Sequence, residues 1–373
     1  MSKKTQIKAE IVADSMNQMG DRLTSLLVTF PRIILAEINT HRMLSKNTSS
    51  SRAIPFKKMV ESVENDPFIP IAWQKDHKGM QGVEYITDKV DIEFLEDMWE
   101  SGIHYAVQQA KALNNPESFP DKRGATKQLC NRLLEPFMWT TMLITGSKEG
   151  WDNFFNLRCP QYDLSEIKIR TYEGMTFNPL CKSWKDVIIR TALDLFDKGP
   201  YSKDEVILKE LEEYPTIKRL KLNKGQAEIH IMDLAEKIYD AMKESIPKQL
   251  EPGEWHIPFW KQIPFISGTE GLKVNTLKTV KISTAMAART SYTVVGDEKE
   301  INYERMIGLH DRLLAQDPPH SSPMEHCARV MTDEEYYLTS KGMEGQIDHQ
   351  HGWCYNLRGF MSYRYLLEND MIK

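Results

Sequence analysis

The sequence lacks the patterns that identify several common classes of protein. No apolar run approaches the length of a membrane-spanning helix, and the first residues are polar and charged, so we expect a cytoplasmic protein with no membrane partner. The formal net charge is −5 at pH 7, from 48 basic and 53 acidic side chains. This balance gives the whole chain no attraction to nucleic acid, so a free nucleotide is a better candidate ligand than DNA.

Cysteine pairs and glycine motifs are also missing. The five cysteines form no Cys-x-x-Cys pair, which predicts reduced and mostly buried thiols. Cys159 follows Arg158, a cation that could lower its pKa and make it a nucleophile, but simple burial is the favoured interpretation. Segment 268–273 lacks the spacing of a P-loop, and no Gly-x-Gly-x-x-Gly follows a strand, so neither an ATP site nor a Rossmann site is supported.

The segment 40–52 concentrates polar side chains. Its thirteen residues include two arginines, a histidine, an asparagine and several hydroxyls. Guanidinium groups suit a phosphate, and short hydroxyls and backbone N–H groups satisfy its remaining lone pairs. The preceding segment 31–44 has helical apolar spacing with proline at its start, which predicts a buried helix before this anion site.

The order of these residues resembles the signature of the flavin-dependent thymidylate synthases: His41-Arg42, seven residues, then Ser50 and Arg52, with Asn47 between them. Further segments resemble other parts of that family, namely Arg132–Pro136, Asn153–Arg158 with Glu166-Ile167, Ala287–Tyr292 and His320–His326.

The last two segments open the chain in familiar members of the family but come late here, which resembles a circular permutation; such rewiring preserves a site when the termini lie close together. The resemblance implies an α+β fold in which an antiparallel sheet packs with helices. We expect a thymidylate-synthase-complementing-protein-like core in permuted order. Residues 1–182 and 261–373 would form its two parts, and 183–260 a charged helical insertion.

The resemblance also implies a function, the C5 methylation of a pyrimidine deoxynucleotide, with dUMP to dTMP the expected reaction. Methylenetetrahydrofolate would donate the carbon and NADPH would reduce FAD, which in the family lies between subunits of a homotetramer. The nucleotide phosphate would be held by Ser50, Arg52 and Arg132 and its base by Arg158, with Ser50 and Arg158 as the candidate catalytic residues. The implied flavin-binding residues are His41, Arg42, Asn47, Asn153, Ser291, His320 and Ser322.

Three departures from the family pattern leave the substrate open. Thr40 and Thr48 replace an arginine and a glutamate, and Glu37 replaces a glutamine. If Glu37 reaches the base, its carboxylate would accept a hydrogen bond from the amine of cytosine; an ordinary helix-surface or ion-paired residue fits equally well. A dUMP or dCMP methylase or hydroxymethylase for modified DNA, and a flavin- or nucleotide-binding protein without turnover, are therefore alternatives.

A metal-dependent hydrolase is the last alternative, because His349, His351 and Cys354 could supply ligands. Their spacing matches no standard zinc module, so we predict no metal. Nearby, segment 358–365 interleaves cations and aromatics, a pattern typical both of a stacking surface and of an amphipathic terminal helix.

Local patterns predict several elements. A hairpin is expected from Gln6–Ala13 and Arg22–Phe30, and an irregular stretch at 53–90. The expected helices are Asp91–Leu113, Thr126–Phe137, Glu149–Leu157 and Asn302–Gln316, and the expected strands are Trp139–Thr145 and Thr279–Thr293.

Overall fold

The computed structural model describes residues 5–79, 82–165, 180–196, 217–263, 276–292, 302–338 and 351–372. Its strands are β1 (Lys8–Met16), β2 (Arg22–Pro31), β3 (Ser45–Thr48), β4 (Trp139–Ser147), β5 (Tyr162–Asp163), β6 (Leu180–Cys181), β7 (Lys248–Gln249), β8 (Trp255–His256), β9 (Ala328–Val330), β10 (Trp353–Cys354), β11 (Leu357–Arg358) and β12 (Phe360–Ser362).

The α-helices are α1 (Leu35–Asn39), α2 (Phe56–Asn65), α3 (Lys89–Asn114), α4 (Lys127–Cys130), α5 (Lys148–Arg158), α6 (Trp184–Phe196), α7 (Ile217–Leu222), α8 (Ile229–Glu244), α9 (Thr276–Arg289), α10 (Tyr303–Leu314), α11 (Asp333–Leu338) and α12 (Tyr363–Glu368). Within the described ranges, no helix is both long and apolar enough to cross a membrane.

A five-stranded sheet in the order β3-β4-β2-β1-β7 forms the centre of the fold. The pairs among β1 to β4 are antiparallel, and only the short β7 runs parallel, beside β1. Strands β1 and β2 form the expected hairpin around the turn at 17–21. The mixture of helices and antiparallel sheets agrees with the expected α+β class.

Helices cover both faces of this sheet because alternate residues of its strands point to opposite sides. On one face Leu26 and Val28 of β2 pack with Ile231, Leu234 and other residues of α8 and with aromatics of α5. On the other face Leu143 of β4 packs with apolar residues of α9 and α10. Helix α8 thus belongs to this core, although its sequence falls in the segment 183–260 that was predicted as an insertion; the division into domains stays a prediction.

A buried ion pair ties the end of α8 to the hairpin. Arg22 Nε and Nη2 donate to the two carboxylate oxygens of Asp14 at 2.9 and 2.6 Å, and Nη2 also donates to the carbonyl of Met242 at 2.8 Å. Asp14 accepts further hydrogen bonds from the hydroxyls of Thr24 and Ser245. Every oxygen of this buried carboxylate therefore has a donor, the condition under which a buried charge is tolerated.

Several sequence expectations are wrong. The segment expected to be a strand at Thr279–Thr293 is mostly helix α9. Nine residues between Thr279 and Ala288 are buried, and burial on several sides of a helix hides its period in the sequence. The helix expected at 31–44 shrinks to a 3-10 turn, Arg32–Ile34, and the short α1, and part of the polar cluster after it is a strand, β3. The helix expected at Thr126–Phe137 is α4 followed by a 3-10 helix that contains Pro136, and the 53–90 stretch contains α2. The other expected elements agree within a few residues at their ends.

Candidate functional site

A polar cleft of about 650 Å³ opens beside β3. It is bounded by the end of α1, by β3, by the 3-10 turn Ser322–Glu325 and by the segment 355–364. Its lining residues are Asn39, Arg42, Leu44, Ser45, Lys46, Thr48, Ser322, Glu325, Tyr355, Asn356, Ser362 and Arg364. Three cations face a single carboxylate in this set, so the cleft favours an anionic ligand.

Segments distant in sequence meet at β3. The side-chain amide of Asn47 donates to the carbonyl of Ala287 at 3.3 Å, and the Thr290 hydroxyl lies at the same distance from the carbonyl of Asn47. The backbone N–H of Ser50 donates to the carbonyl of Ser291 at 2.7 Å. The structure therefore joins Ser50, predicted for the nucleotide, to Ser291, predicted for the flavin. Asn47 is buried in this contact and does not line the cleft.

His41 lies behind the cleft and receives a hydrogen bond from Arg158. Arg158 Nε donates to Nε2 of His41 at 3.0 Å, and the imidazole meets the ring of Phe154 edge to face, with centroids 4.9 Å apart. Burial, and then the charges of Arg158 and Lys46, lower the pKa of His41 to about 4. The imidazole is therefore neutral at pH 7 and positions its neighbours, whereas the adjacent Arg42 is exposed and lines the cleft.

Lys46 is a cation of the cleft that sequence reasoning did not assign. Its ammonium donates to the carbonyls of His41 at 2.6 Å and Ile38 at 3.2 Å, which holds the side chain against the end of α1 and the turn that follows it. Burial lowers the pKa of Lys46 to about 8, against the opposing effect of Glu325. Its position inside the polar segment 40–52 was the only sequence signal.

The C-terminal segment forms the opposite wall. Asn356 donates to Ser45 Oγ at 2.9 Å and to the carbonyl of Met43 at 3.3 Å. Arg364 pairs with Glu325 through Nη1 at 2.7 Å and with Glu368 through Nε at 2.8 Å. The interleaved cations and aromatics of 358–365 therefore do not form one helix: they include β12 and the start of α12, and one of these residues, Arg364, reaches the cleft.

Other predicted residues lie away from the cleft lining. Arg52, Arg132, Asn153 and His320 are all exposed. Arg132 is close enough to Arg32 to contribute to lowering its pKa, after the larger effect of burial, and Arg32 Nη1 donates to the carbonyl of Ser49 at 2.7 Å.

Glu37 is half-buried, and its Oε2 is buried with no hydrogen-bond partner among the described residues. The Glu166-Ile167 part of the motif lies outside the described residues.

A chain of buried polar side chains runs behind the cleft wall. His256 contacts Ser15 Oγ through Nδ1 at 2.9 Å and Ser25 Oγ through Nε2 at 2.8 Å. Ser25 Oγ lies 2.6 Å from Thr145 Oγ1, which in turn lies 2.8 Å from Nδ1 of His326. Burial lowers the pKa of His256 to about 4 and that of His326 to about 3. Thr145 is the strand partner of Ser45, and His326 follows Glu325, so this chain supports two lining residues.

The reactive-thiol and metal alternatives gain no support from the described residues. All five cysteines are free and buried, and burial raises the pKa of Cys159 well above its ordinary value and that of Cys354 to about 12. No group of three potential metal-ligating side chains occurs in the described part of the chain. His349 lies outside that part, and His351 packs edge to face against Tyr337.

No protein-family model matches the sequence, and no curated protein matches it. Among solved structures, a UMP/dUMP methylase PolB from Streptomyces cacaoi bound with 5-Br dUMP aligns at 12% identity with a TM-score of 0.34, over 43% of this chain and 82% of the methylase. The same methylase bound with 5-Br UMP aligns at 13% identity with a TM-score of 0.33, over 42% of this chain and 78% of the methylase. Thymidylate Synthase X from Helicobacter pylori with FAD and dUMP aligns at 13% identity with a TM-score of 0.23, over 52% of this chain and 74% of the synthase. Similarities of this size do not establish a common fold or function.

Proposed function

We propose that the chain binds FAD in the cleft and catalyses the flavin-dependent C5 methylation of a pyrimidine deoxynucleotide, with dUMP to dTMP as the reaction. One observation carries the proposal. Arg42 and Ser322 were assigned to the flavin from two motifs at opposite ends of the sequence, and both line the same cation-rich cleft. Chance motif matches in unrelated segments have no reason to meet at one cavity.

The cleft suits the chemistry of FAD. Its volume of about 650 Å³ lies in the ordinary range for small-molecule sites. Arg42 and Lys46 would neutralise the pyrophosphate, while Ser322 and Asn356 would offer hydrogen bonds to the polar edges of the rings. When bound, the flavin supplies the hydride chemistry, and the protein orients the reactants and keeps water away from them.

The nucleotide would lie on the side of β3 where Ser50 meets Ser291, with Arg52 and Arg132 as exposed cations for its phosphate. Arg158 would hold the base. Its Nε is already bonded to His41, and among the described residues no carboxylate pairs with it, so both Nη groups are available to the carbonyls of a pyrimidine. Methylenetetrahydrofolate and NADPH are the proposed co-substrates, and a homotetramer is the proposed assembly.

A second candidate keeps the chemistry and changes the base to cytosine. The unpartnered, buried Oε2 of Glu37 favours it, because a carboxylate oxygen without a donor matches the exocyclic amine of dCMP.

The test is flavin retention. Wild-type protein loaded with FAD should keep flavin absorbance after gel filtration and should release tritium from C5-labelled dUMP when the co-substrates are present. Arg42→Ala and Ser322→Ala should retain less flavin. Arg312→Ala is the matched control, because Arg312 is exposed on α10 and does not line the cleft.

Wild-type protein that binds no FAD would refute the proposed function. If Arg42→Ala retains as much flavin as wild type, FAD does not bind in this cleft. Light scattering tests the assembly: a single species at the 43.3 kDa of one chain would contradict the tetramer.

A further inference from the structure

We infer that Tyr355 is the ring-stacking residue of the cleft, against which the planar ring system of the bound cofactor lies. The identity of that ring as a flavin rests on the proposed function. No part of the flavin-binding signature includes Tyr355, and the inference depends on its position, its backbone and its surroundings.

Tyr355 lies at the tip of the hairpin formed by β10 and β11, where it lines the cleft and is 64% exposed. Aromatic residues close to it in sequence are less exposed: Trp353 and Tyr365 are half-buried, Phe360 is inaccessible and Tyr363 is 3% exposed. The protein thus leaves one large aromatic side chain open to solvent at the edge of its polar, cation-rich cavity.

The backbone of Tyr355 is strained. Its φ is +52°, in the left-handed region that bulky side chains rarely adopt. The glycines on either side of this hairpin, Gly352 and Gly359, also have positive φ, at +79° and +73°. Glycine therefore stands at two of the three left-handed positions here, and tyrosine at the third. A tyrosine that costs conformational free energy where glycine costs none indicates a role for its side chain.

The surroundings fix the ring in place without covering it. Asn356 anchors the hairpin tip to Ser45 and Met43. The Tyr355 ring packs edge to face with Tyr365 at a centroid distance of 5.3 Å, and its hydroxyl donates to Glu368 Oε2 at 3.4 Å. A pre-positioned aromatic ring with most of its surface free is suited to offset stacking on a planar ligand.

The combination defines the ligand class. Arg42 and Lys46 would attract phosphate groups, and Tyr355 would contact a ring, so the cleft selects a molecule that carries both. Pyrophosphate tests the anionic part alone, and riboflavin tests the ring alone.

The experiment compares three variants by titration with FAD, riboflavin and pyrophosphate, together with the melting temperature of the ligand-free protein. Tyr355→Phe keeps the ring and should bind FAD within about twofold of wild type. Tyr355→Leu and Tyr355→Gly remove it and should weaken FAD and riboflavin by roughly tenfold, the size expected for one lost aromatic stack. Pyrophosphate affinity should not change in any of them.

Tyr355→Gly should also raise the melting temperature of the free protein, because glycine adopts φ +52° without strain. If Tyr355 had only a structural role, its replacement by glycine would instead lower the melting temperature and the FAD affinity together. Tyr355→Leu with wild-type FAD affinity, or Tyr355→Phe as weak as Tyr355→Leu, overturns the inference while leaving the proposed function intact. Wild-type protein that binds no FAD overturns both.

Discussion

Arg158 and His41 form one hydrogen-bonded unit: the guanidinium Nε of Arg158 donates to the imidazole Nε2 of His41 at 3.0 Å. The sequence motifs assign Arg158 to the base of the nucleotide and His41 to the flavin. A residue of the proposed nucleotide site thus contacts one that adjoins the cleft proposed for the flavin. The contact requires an unprotonated Nε2, in agreement with the lowered pKa of His41.

The first prediction concerns this pair. Replacing Arg158 by Met should raise the pKa of His41 above its value of about 4, because a neighbouring positive charge is removed. The pKa should remain below the ordinary 6.5, because burial is the larger cause and persists. NMR titration of the histidine ring signals measures this change, with Arg312→Met as the control that should leave it unaltered. An unchanged His41 pKa in Arg158→Met would contradict the contact.

A second prediction follows from the buried histidines of the polar chain. The folded-state pKa values of His256 and His326 lie near 4 and 3, below the ordinary 6.5, so the unfolded chain binds protons that the folded chain excludes. The free energy of unfolding should therefore fall as the pH decreases from about 6.5 to about 4, by up to about 1.4 kcal/mol per pH unit for each histidine. Urea unfolding at several pH values measures the slope.

The double variant His256→Gln/His326→Gln should show a shallower slope over that range, whatever its stability at neutral pH. An identical slope would show that these two imidazoles do not set the acid sensitivity.

The third prediction uses the ion pair between Arg22 and Asp14. Asp14→Ala leaves a largely buried guanidinium without its carboxylate, so the free energy of unfolding should fall by roughly 3–5 kcal/mol. Lys148→Ala is the comparison, because its pair with Asp152 is exposed on α5 and should be worth about 0.5 kcal/mol or less. Equal losses in the two variants would contradict the assigned burial of Asp14.

The fourth prediction separates phosphate binding from base choice. Arg52→Ala and Arg132→Ala should each weaken dUMP and dCMP alike, by roughly 1.5–3 kcal/mol for a lost charge-assisted hydrogen bond. Glu37→Gln should instead change the preference between the two nucleotides and leave the phosphate contribution intact. Calorimetric titration distinguishes these patterns. If Arg52→Ala and Arg132→Ala bind both nucleotides as tightly as wild type does, these two arginines do not hold the nucleotide phosphate.

Local sequence patterns were sufficient for the β1–β2 hairpin, whose two strand-like runs flank a turn-prone segment. They were also sufficient for helix α10, whose buried residues Met306, His310 and Leu313 recur at helical spacing. Helix α9 was mistaken for a strand because nine of the ten residues from Thr279 to Ala288 are buried, so no broad polar face marks its period. Strand β3 was missed because it forms by pairing with β4, almost a hundred residues later in the chain. No local sequence pattern encodes that pairing.

The candidate site shows the same division. Arg42 and Ser322 could be found because each belongs to a motif. Four other lining residues could not be assigned, because they come together only when the C-terminal segment folds beside β3. These residues are Lys46, Tyr355, Asn356 and Arg364. The residues of the buried polar chain gave no signal at all: two serines, a threonine and two histidines scattered between positions 15 and 326 become a unit only through tertiary contacts.

The same chain links the tautomers of its two imidazoles. If neutral His256 carries its hydrogen on Nδ1, its Nε2 accepts from Ser25, Ser25 accepts from Thr145, and Thr145 accepts from Nδ1 of His326, whose Nε2 is then a bare acceptor. If His256 carries its hydrogen on Nε2, every hydroxyl turns round and the Nε2 of His326 becomes a donor. A mixed arrangement keeps all four hydrogen bonds only if Ser25 or Thr145 accepts two of them, which leaves the hydrogen of that hydroxyl without a partner in the chain. An unpaired buried donor is unfavourable, so the hydrogen-bonding character of His326 Nε2 depends on which nitrogen of His256 is protonated, on the same face of the sheet.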